Sequence, residues 1–490
     1  TSANSAFGYK SLFANTTGRR NAAFGFAALQ NNTIGINNAA FGYQTLQTNT
    51  TGSNNTAVGL NSLFSNTIGD KNSAFGSQAL FANTTGANNS AFGTYALNAN
   101  TIGANNVAVG MSALLGNTTG GGNTAVGRSS LSGNTFGKYN SAFGYQSLFS
   151  NTTGDFNSTF GFQSLRNNTI GANNSAFGIY ALKNNTTGNN NTAVGRSALQ
   201  SNTIGTNNSA FGYQSLSQNT TGSYNTAVGR TALYLNTIGA NNTAVGFAAL
   251  YTNTTGSNNT AFGYQSLPVN TTGAYNVAVG TFSLRYNTIG NYSVAVGGSS
   301  LYNNTSGGYN TAIGYESLVS NVVGNNNTAV GFQALYSNTT NSNSAFGYKA
   351  LFANTTGVKN VAVGYISMLS NTYGKYNTAV GYNSLSANTF GNYNSAFGYK
   401  ALNSNTTGNR NSAFGYSSLR LNTIGVRNTA FGYAAMLYNT TGNYNVAFGT
   451  MALYINGIGT ANTSVGFESL YNNTTSNNSA FGYRALKANT

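Results

Sequence analysis

The sequence contains no cysteine, no histidine and no tryptophan. Without cysteine the chain forms no disulfide bond, and without cysteine or histidine it offers no thiolate or imidazole ligand to a metal ion. A cysteine-free, weakly charged chain rich in Thr and Asn is typical of an extracellular structural protein. We therefore expect an extracellular protein that carries no metal centre or other cofactor.

Acidic side chains are almost absent as well. The four are Asp70, Asp155, Glu316 and Glu468, and a long stretch of chain separates even the nearest two. General acid–base catalysis by carboxylates needs two of them side by side, and calcium-binding β-rolls carry Asp in every repeat. The sequence thus predicts neither an enzyme nor a calcium-binding roll.

The positive charge is large in total but thinly spread. The net charge is +16, and the longest basic run is the pair Arg19 and Arg20. Binding to nucleic acid needs several cations that converge on one face, so we expect no nucleic-acid partner, while weak attraction to an anionic polysaccharide stays open. Apolar runs are short throughout, so no membrane span is expected.

One repeated unit fills the chain, and residues 55–69, NTAVGLNSLFSNTIG, show it well. Its first glycine recurs with a 17-residue period from Gly8 to Gly331 and, after one-residue slips before Gly347 and Gly482, gives 29 copies. A fixed period of this length indicates a stacked solenoid. We expect one continuous array over residues 1–490, which begins and ends within a repeat and is therefore incomplete at both ends.

Positions in the unit are counted here from that glycine as position 0. Residues −4 to +1 alternate, which is a strand pattern. We expect the −1 residues (Val58, Phe75) and the +4 residues (Leu63, Leu80) to fill the interior, and Ala at −2 to form an outer face of small residues that another chain could approach. The glycines at 0 and +10 (Gly59, Gly69, Gly76, Gly86) should permit the bends. After the bend we expect a second short extended segment, with a helical turn, for example over residues 146–150, as the alternative.

Identical units are stabilised by stacking, which places each strand about 4.8 Å from a parallel neighbour. The predicted fold is therefore all-β, a parallel β-solenoid or β-roll of about 29 stacked coils. Asn residues at −4 and +7 (Asn55, Asn66, Asn72, Asn83) should form ladders from coil to coil. Because position +9 often alternates between Thr and Ile, one coil could comprise either one copy of the unit or two, and we favour the 17-residue coil of one copy.

A coil of this size has few large apolar residues, so oligomerisation is the natural way to gain further buried surface, and we favour a trimer. Position +1 is Tyr or Phe in most copies, and the tyrosines Tyr365, Tyr382, Tyr399, Tyr416 and Tyr433 follow one another in successive copies. This stripe is predicted to pack against a partner chain or to bind sugar. The Asn-Thr-Thr turns at Asn15, Asn49 and Asn83 match the glycosylation acceptor pattern, and a stacked structural turn is the alternative interpretation.

The segments 106–110 (NVAVG) and 293–297 (SVAVG) resemble the head repeat of trimeric autotransporter adhesins of the YadA type. The longer unit is similar to repeats of tail-fibre-like proteins. The resemblance implies a left-handed, trimeric, extracellular β-roll that serves as an adhesin head or fibre shaft. We therefore expect a non-enzymatic extracellular fibre or filament, with homo-oligomer or filament neighbours as partners. The alternative is a repetitive binding surface for ice or for cell-surface glycan.

Overall fold

The computed structural model describes residues 3–489, so Thr1 and Thr490, where the array was expected to be cut, lie outside the described residues. The chain divides into two compact units, one up to Asn242 and one from Thr243 onward. Each unit consists of short parallel strands joined by turns, and the described residues contain no helix. Each unit is therefore a parallel β-solenoid, as predicted.

Almost all strands are the triplets at positions −3 to −1. Those of the first unit, β1 to β14, are Ser5–Phe7, Ala22–Phe24, Ala39–Phe41, Thr56–Val58, Ser73–Phe75, Ser90–Phe92, Val107–Val109, Thr124–Val126, Ser141–Phe143, Ser158–Phe160, Ser175–Phe177, Thr192–Val194, Ser209–Phe211 and Thr226–Val228.

Those of the second unit, β15 to β31, are Thr243–Val245, Thr260–Phe262, Val277–Val279, Val294–Val296, Thr311–Ile313, Thr328–Val330, Ser344–Phe346, Val361–Val363, Thr378–Val380, Ser395–Phe397, Ser412–Phe414, Thr429–Phe431, Val446–Phe448, Thr463–Val465, Asn472–Asn473, Ser479–Phe481 and Ala488–Asn489. Strands β29 and β31 pair with each other in a small separate sheet.

The register shows that one coil corresponds to one copy of the unit. Ala57 of β4 pairs in parallel with Ala74 of β5, and the same offset relates most neighbouring strands within each unit. In the two short copies the offset is one residue less, as between Thr328 and Ser344. The prediction of 17-residue coils is therefore confirmed over the alternative of two copies in each coil.

Backbone hydrogen bonds join each coil to both of its neighbours. In the coil of β4, the amide of Gly59 donates to the preceding coil at Phe41 O (2.9 Å), and the amide of Leu63 donates to the following coil at Ala79 O (2.8 Å). Because the turns bond in this way as well as the strands, buried backbone groups outside the three-residue strands also find partners.

The segment after the strand is neither extended nor helical, so both interpretations of it were wrong. Positions +2 and +4 lie in the left-handed region, as at Gln146 (φ 50°) and Leu148 (φ 53°). This region costs an L-residue about 1–2 kcal/mol, and the coil-to-coil hydrogen bonds of these residues offset it. The left-handed turn is what directs the leucine inward.

The apolar interior consists mainly of Ala at position −2 and Leu at position +4. Ala57 and Leu63 are fully buried, whereas Val58 is only half-buried and Phe75 is 36% exposed. The expectation that Val58 and Phe75 fill the interior was therefore wrong, and so was that of an outward Ala face. Val58 and Phe75 do stack in register, but outside, because a coil that is already filled by Leu at +4 leaves space only for Ala at −2.

Glycine is required at both conserved turns for steric reasons. Gly59 has a φ of 127°, and a Cβ there would lie 2.7 Å from the carbonyl oxygen of Gly76. A Cβ on Gly69 would lie 2.5 Å from Asn66 Oδ1 and would also meet the carbonyl oxygen of Gly86. Any side chain would therefore push neighbouring coils apart.

Candidate functional surface

Each of the four carboxylates has a hydrogen-bond partner within the protein. Asp70 Oδ1 accepts the backbone amide of Ser53 (2.6 Å), and Asp155 Oδ1 accepts that of Lys138 (2.7 Å). The Glu316 carboxylate accepts from a glutamine side chain at 2.8 Å. Among residues 3–489 no group of three or more His, Cys, Asp or Glu side chains could hold a metal ion.

Glu468 is a carboxylate with two cationic partners. Its Oε2 lies 2.5 Å from Lys487 Nζ and 2.9 Å from Arg484 Nε. Hydrogen bonds from Lys487 and then Arg484 lower the pKa of the Glu468 carboxyl below its ordinary value. The three side chains thus link two successive coils near the end of the second unit.

The two predicted Asn ladders are present and buried. At position +7, Asn83 Nδ2 donates to Asn66 Oδ1 (2.8 Å) and to the carbonyl of its own turn at Gly86 (2.9 Å). At position −4, Asn55 Oδ1 accepts the amide of Asn72 (2.9 Å), while Asn72 Nδ2 donates to Gly86 O (2.8 Å). Both ladders therefore meet at the turn glycine and close each coil.

The proposed glycosylation residues belong to the +7 ladder. Asn49 and Asn83 are fully buried, and Asn49 Nδ2 donates to Asn32 Oδ1 (2.8 Å). Asn15 is half-buried and donates to Gly18 O (3.0 Å). An attached sugar is incompatible with these bonds in the folded coil, so the pattern is explained by the stacked turn.

The tyrosine stripe is an exposed ladder of rings in the second unit. Ring centroids lie 5.2 Å apart from Tyr365 to Tyr382, 5.2 Å from Tyr382 to Tyr399, 4.8 Å from Tyr399 to Tyr416, and 5.2 Å from Tyr416 to Tyr433. The rings are nearly parallel and 37–49% exposed. They stand beside the −1 column, which is also partly exposed, so the sheet presents an apolar outer face.

Arginine can replace a ring in this column because it too stacks. In the first unit the guanidinium groups of Arg196 and Arg230 lie 6.0 Å and 5.7 Å from the ring centroid of Tyr213. Cation–π attraction thus keeps the column continuous where the residue type changes.

A second aromatic cluster surrounds Arg285, which occupies position +5. Arg285 lies 4.4 Å from the ring centroid of Phe282, and its Nη1 donates to Gln265 Oε1 (2.6 Å). A hydrogen bond from Arg285 lowers the pKa of the Tyr286 hydroxyl, while burial raises the pKa of Tyr302. These contacts satisfy the guanidinium group within the protein.

Threonine does not form a continuous free row. The +8 threonines give their hydroxyl hydrogen to the next coil, as Thr67 Oγ1 does to Thr84 O (3.1 Å). The outward +9 position holds Thr51 in one coil and Ile68, 53% exposed, in the next. This alternation gives little support to an ice-binding surface.

The turn edge of the second unit carries a basic and aromatic row that the sequence reasoning missed. Position +12 holds in succession Lys359, Tyr376, Tyr393, Arg410, Arg427 and Tyr444, which we call the basic row. Sorting the cations by repeat position, rather than along the chain, would have revealed it. Cations that are far apart in sequence share one position of the coil here.

Comparison with known proteins adds no function. The chain matches no model of a known protein family, and no curated protein matches it. Over residues 3–489 there is also no helix with the length and hydropathy needed to cross a membrane. The function is therefore inferred from the surfaces described above.

Proposed function

We propose that the protein is a non-enzymatic, extracellular structural fibre, used as a shaft or adhesin head. The in-register stacking of coils in each unit is the observation that carries the proposal. Coil-to-coil hydrogen bonds engage the strands, the turns and both Asn ladders. Such a chain is stabilised by neighbour contacts alone and gains length with each added coil.

We further propose that three chains associate through the outer face of the sheet. Two columns of half-exposed apolar residues, at −1 and +1, run side by side there, and exposed apolar faces of this kind mark interaction sites. The likeness of the N-[ST]-A-[FV]-G unit to trimeric adhesin heads favours three chains over two.

The mass of the particle in solution tests the assembly. One chain has a mass of 50.7 kDa, and we expect sedimentation to give three times this value. Replacing Tyr382, Tyr399 and Tyr416 with Glu should yield monomers. The same replacement at Thr407 and Ile424, on the turn edge, should leave the trimer intact. A monomeric wild-type protein at micromolar concentration would contradict the proposal.

The extracellular role is tested in the organism that makes the protein. Antibodies against the folded coils should label intact cells or particles without permeabilisation. Labelling that requires permeabilised cells would refute the extracellular assignment, whatever the mass in solution.

A further inference from the structure

We propose that the basic row binds a linear acidic polysaccharide laid along successive coils. Its six side chains combine cations with aromatic rings and face outward from the turn edge of the second unit. This function goes beyond assembly into a fibre, because the turn edge is separate from the sheet face assigned to subunit contacts.

The row is held by contacts between its own members. Lys359 Nζ lies 5.2 Å from the ring centroid of Tyr376, which stacks on Tyr393 at 4.9 Å. Arg410 lies 5.8 Å from the Tyr393 centroid on the other side. Each side chain is thereby oriented by its neighbour, so the row is preorganised for a ligand.

The last part of the row contains two arginines. Arg410 and Arg427 occupy the same position on successive coils. Arg410 lies over the ring of Tyr393 in the preceding coil, whereas Arg427 Nη1 donates to the hydroxyl of Tyr444 in the following coil (3.1 Å). Lys375 adds a cation at position +11. An anion that lies along the coils can therefore meet several cations in turn.

Among residues 3–489, no side-chain carboxylate forms an ion pair with the cations of this segment. The sequence has no Asp or Glu between Glu316 and Glu468, and Glu468 is paired with Arg484 and Lys487, which lie outside the row. The cations of the row are therefore available to bind an external anion, which would replace the water that hydrates them.

An open groove runs beside the row and can seat a chain. One part has a volume of about 470 Å³ and is lined by Tyr373, Lys375, Tyr376, Phe390, Asn392 and Tyr393. A neighbouring part of about 320 Å³ is lined by Asn392, Tyr393, Asn409 and Arg410. The two parts share Asn392 and Tyr393, so a single extended ligand could occupy both.

The ring geometry favours a polysaccharide over a nucleic acid. Tyr376 and Tyr393 are stacked with an angle of 2° between their planes, as Tyr373 and Phe390 are with 3°. The facing surfaces of Tyr376 and Tyr393 cover each other, and a cation of the row lies over each of the two outer faces, so these two rings offer no free face for the bases that single-stranded nucleic acid stacks there. The groups directed outward are phenol hydroxyls, amides and cations, which suit carboxylates and sugar hydroxyls.

The segment that contains the basic row lies between the two short coils. In the first of them, Thr340 O accepts Asn327 Nδ2 (2.6 Å), as the +10 glycine does elsewhere, so the outward +9 residue is the one that is missing. The same loss occurs in the coil of Thr475. Tyr373 and Phe390 occupy position +9 between these coils and form the outer wall of the groove.

Binding of the full chain to polygalacturonate, with neutral dextran as the comparison, tests the proposal. We expect binding to polygalacturonate that weakens as salt is raised, and none to dextran. The variant Lys359→Gln/Arg410→Gln/Arg427→Gln should lose roughly tenfold or more in affinity. Position +12 has a left-handed backbone conformation. Gln tolerates it, since Gln44 has a φ of 53°.

A matched control has the same charge change elsewhere. The variant Arg20→Gln/Lys71→Gln/Lys138→Gln removes three cations at positions +11 and +12 of the first unit, and it should bind like the wild type. Equal weakening in both variants would overturn the proposal in favour of net charge alone. Binding of single-stranded DNA as tight as that of polygalacturonate, and lost in the first variant, would overturn it in favour of nucleic acid. The mass of the assembled particle is measured separately, so failure here is distinct from failure of the fibre.

Discussion

Asn66 donates one side-chain amide to two oxygens, Asn49 Oδ1 in the preceding coil at 2.8 Å and Gly69 O in its own turn at 3.0 Å. Its own Oδ1 accepts from Asn83 in the following coil. Three coils are therefore joined through one fully buried side chain. A buried amide with these bonds is stabilising only as long as each partner is present.

Replacing Asn66 with Ala should open the coils around it. The change leaves the buried Asn49 Oδ1 without its donor and removes one of the two acceptors of Asn83 Nδ2, and we expect a loss of about 1–3 kcal/mol in the free energy of local opening. Hydrogen exchange of segment 49–83 measures it, since long repeat arrays do not unfold in two states. Ser65→Ala, one position away and half-buried, is the control and should cost under about 0.5 kcal/mol. Equal effects in both variants would show that the ladder contributes no stability.

Replacing Ala57 with Leu should be far more harmful than replacing Val58 with Leu. Ala57 is fully buried between coils, and overpacking costs about 1–3 kcal/mol. Val58 faces outward and has room for the added methylene group. Urea denaturation followed by circular dichroism compares the two variants. A larger loss for Val58→Leu would mean that the strand faces are oriented the other way.

Replacing Gly59 with Ala should destabilise the coil by more than about 1 kcal/mol. The added Cβ has no space next to Gly76 O. The control Asn61→Gly changes a left-handed residue whose Oδ1 is buried without a hydrogen-bond partner, and it should stay within about 0.5 kcal/mol of the wild type. Hydrogen exchange of the coils around residue 59 is measured in both variants, and a tolerated Gly59→Ala would contradict the steric requirement.

The coil that holds Glu468 should loosen in acid. The pKa of this carboxyl is lowered in the folded chain from its ordinary value of 4.5, so its stabilising effect is complete above that value and is lost as the pH falls through the lowered pKa. Hydrogen-exchange protection of residues 466–486 should therefore decrease below about pH 4.5. The variant Glu468→Gln should show weak protection without this pH dependence, and an unchanged pH dependence in it would assign the effect to another group.

The repeat made the strands and the stacked coils predictable. It did not predict which face of each strand lies inside. Alternation shows which residues share a face, and it does not show which face is inside. The preference for burying large apolar residues indicated Val58, whereas the structure buries Ala57, because Leu63 already occupies the narrow interior. The left-handed conformation of Leu63, with a φ of 54°, was equally unpredictable, since leucine rarely adopts it.

The surfaces were predicted in part. The tyrosine stripe was visible because one residue type recurs at one position. The basic row was not, because Lys359, Arg410 and Arg427 differ in type and lie far apart in the sequence. Only the 17-residue register places them at one position of the coil, in a single row.

The uniform register also bears on how a gene for such a protein can change. Because each coil presents the same bonds above and below, recombination that removes or adds whole 17-residue units leaves every remaining coil with a matching neighbour. Loss of a single residue is tolerated at the outward +9 position, where two coils show it. Variants in natural populations are therefore expected to differ in the copy number of whole units, while frame-preserving changes of other sizes, apart from loss of the +9 residue, should be selected against.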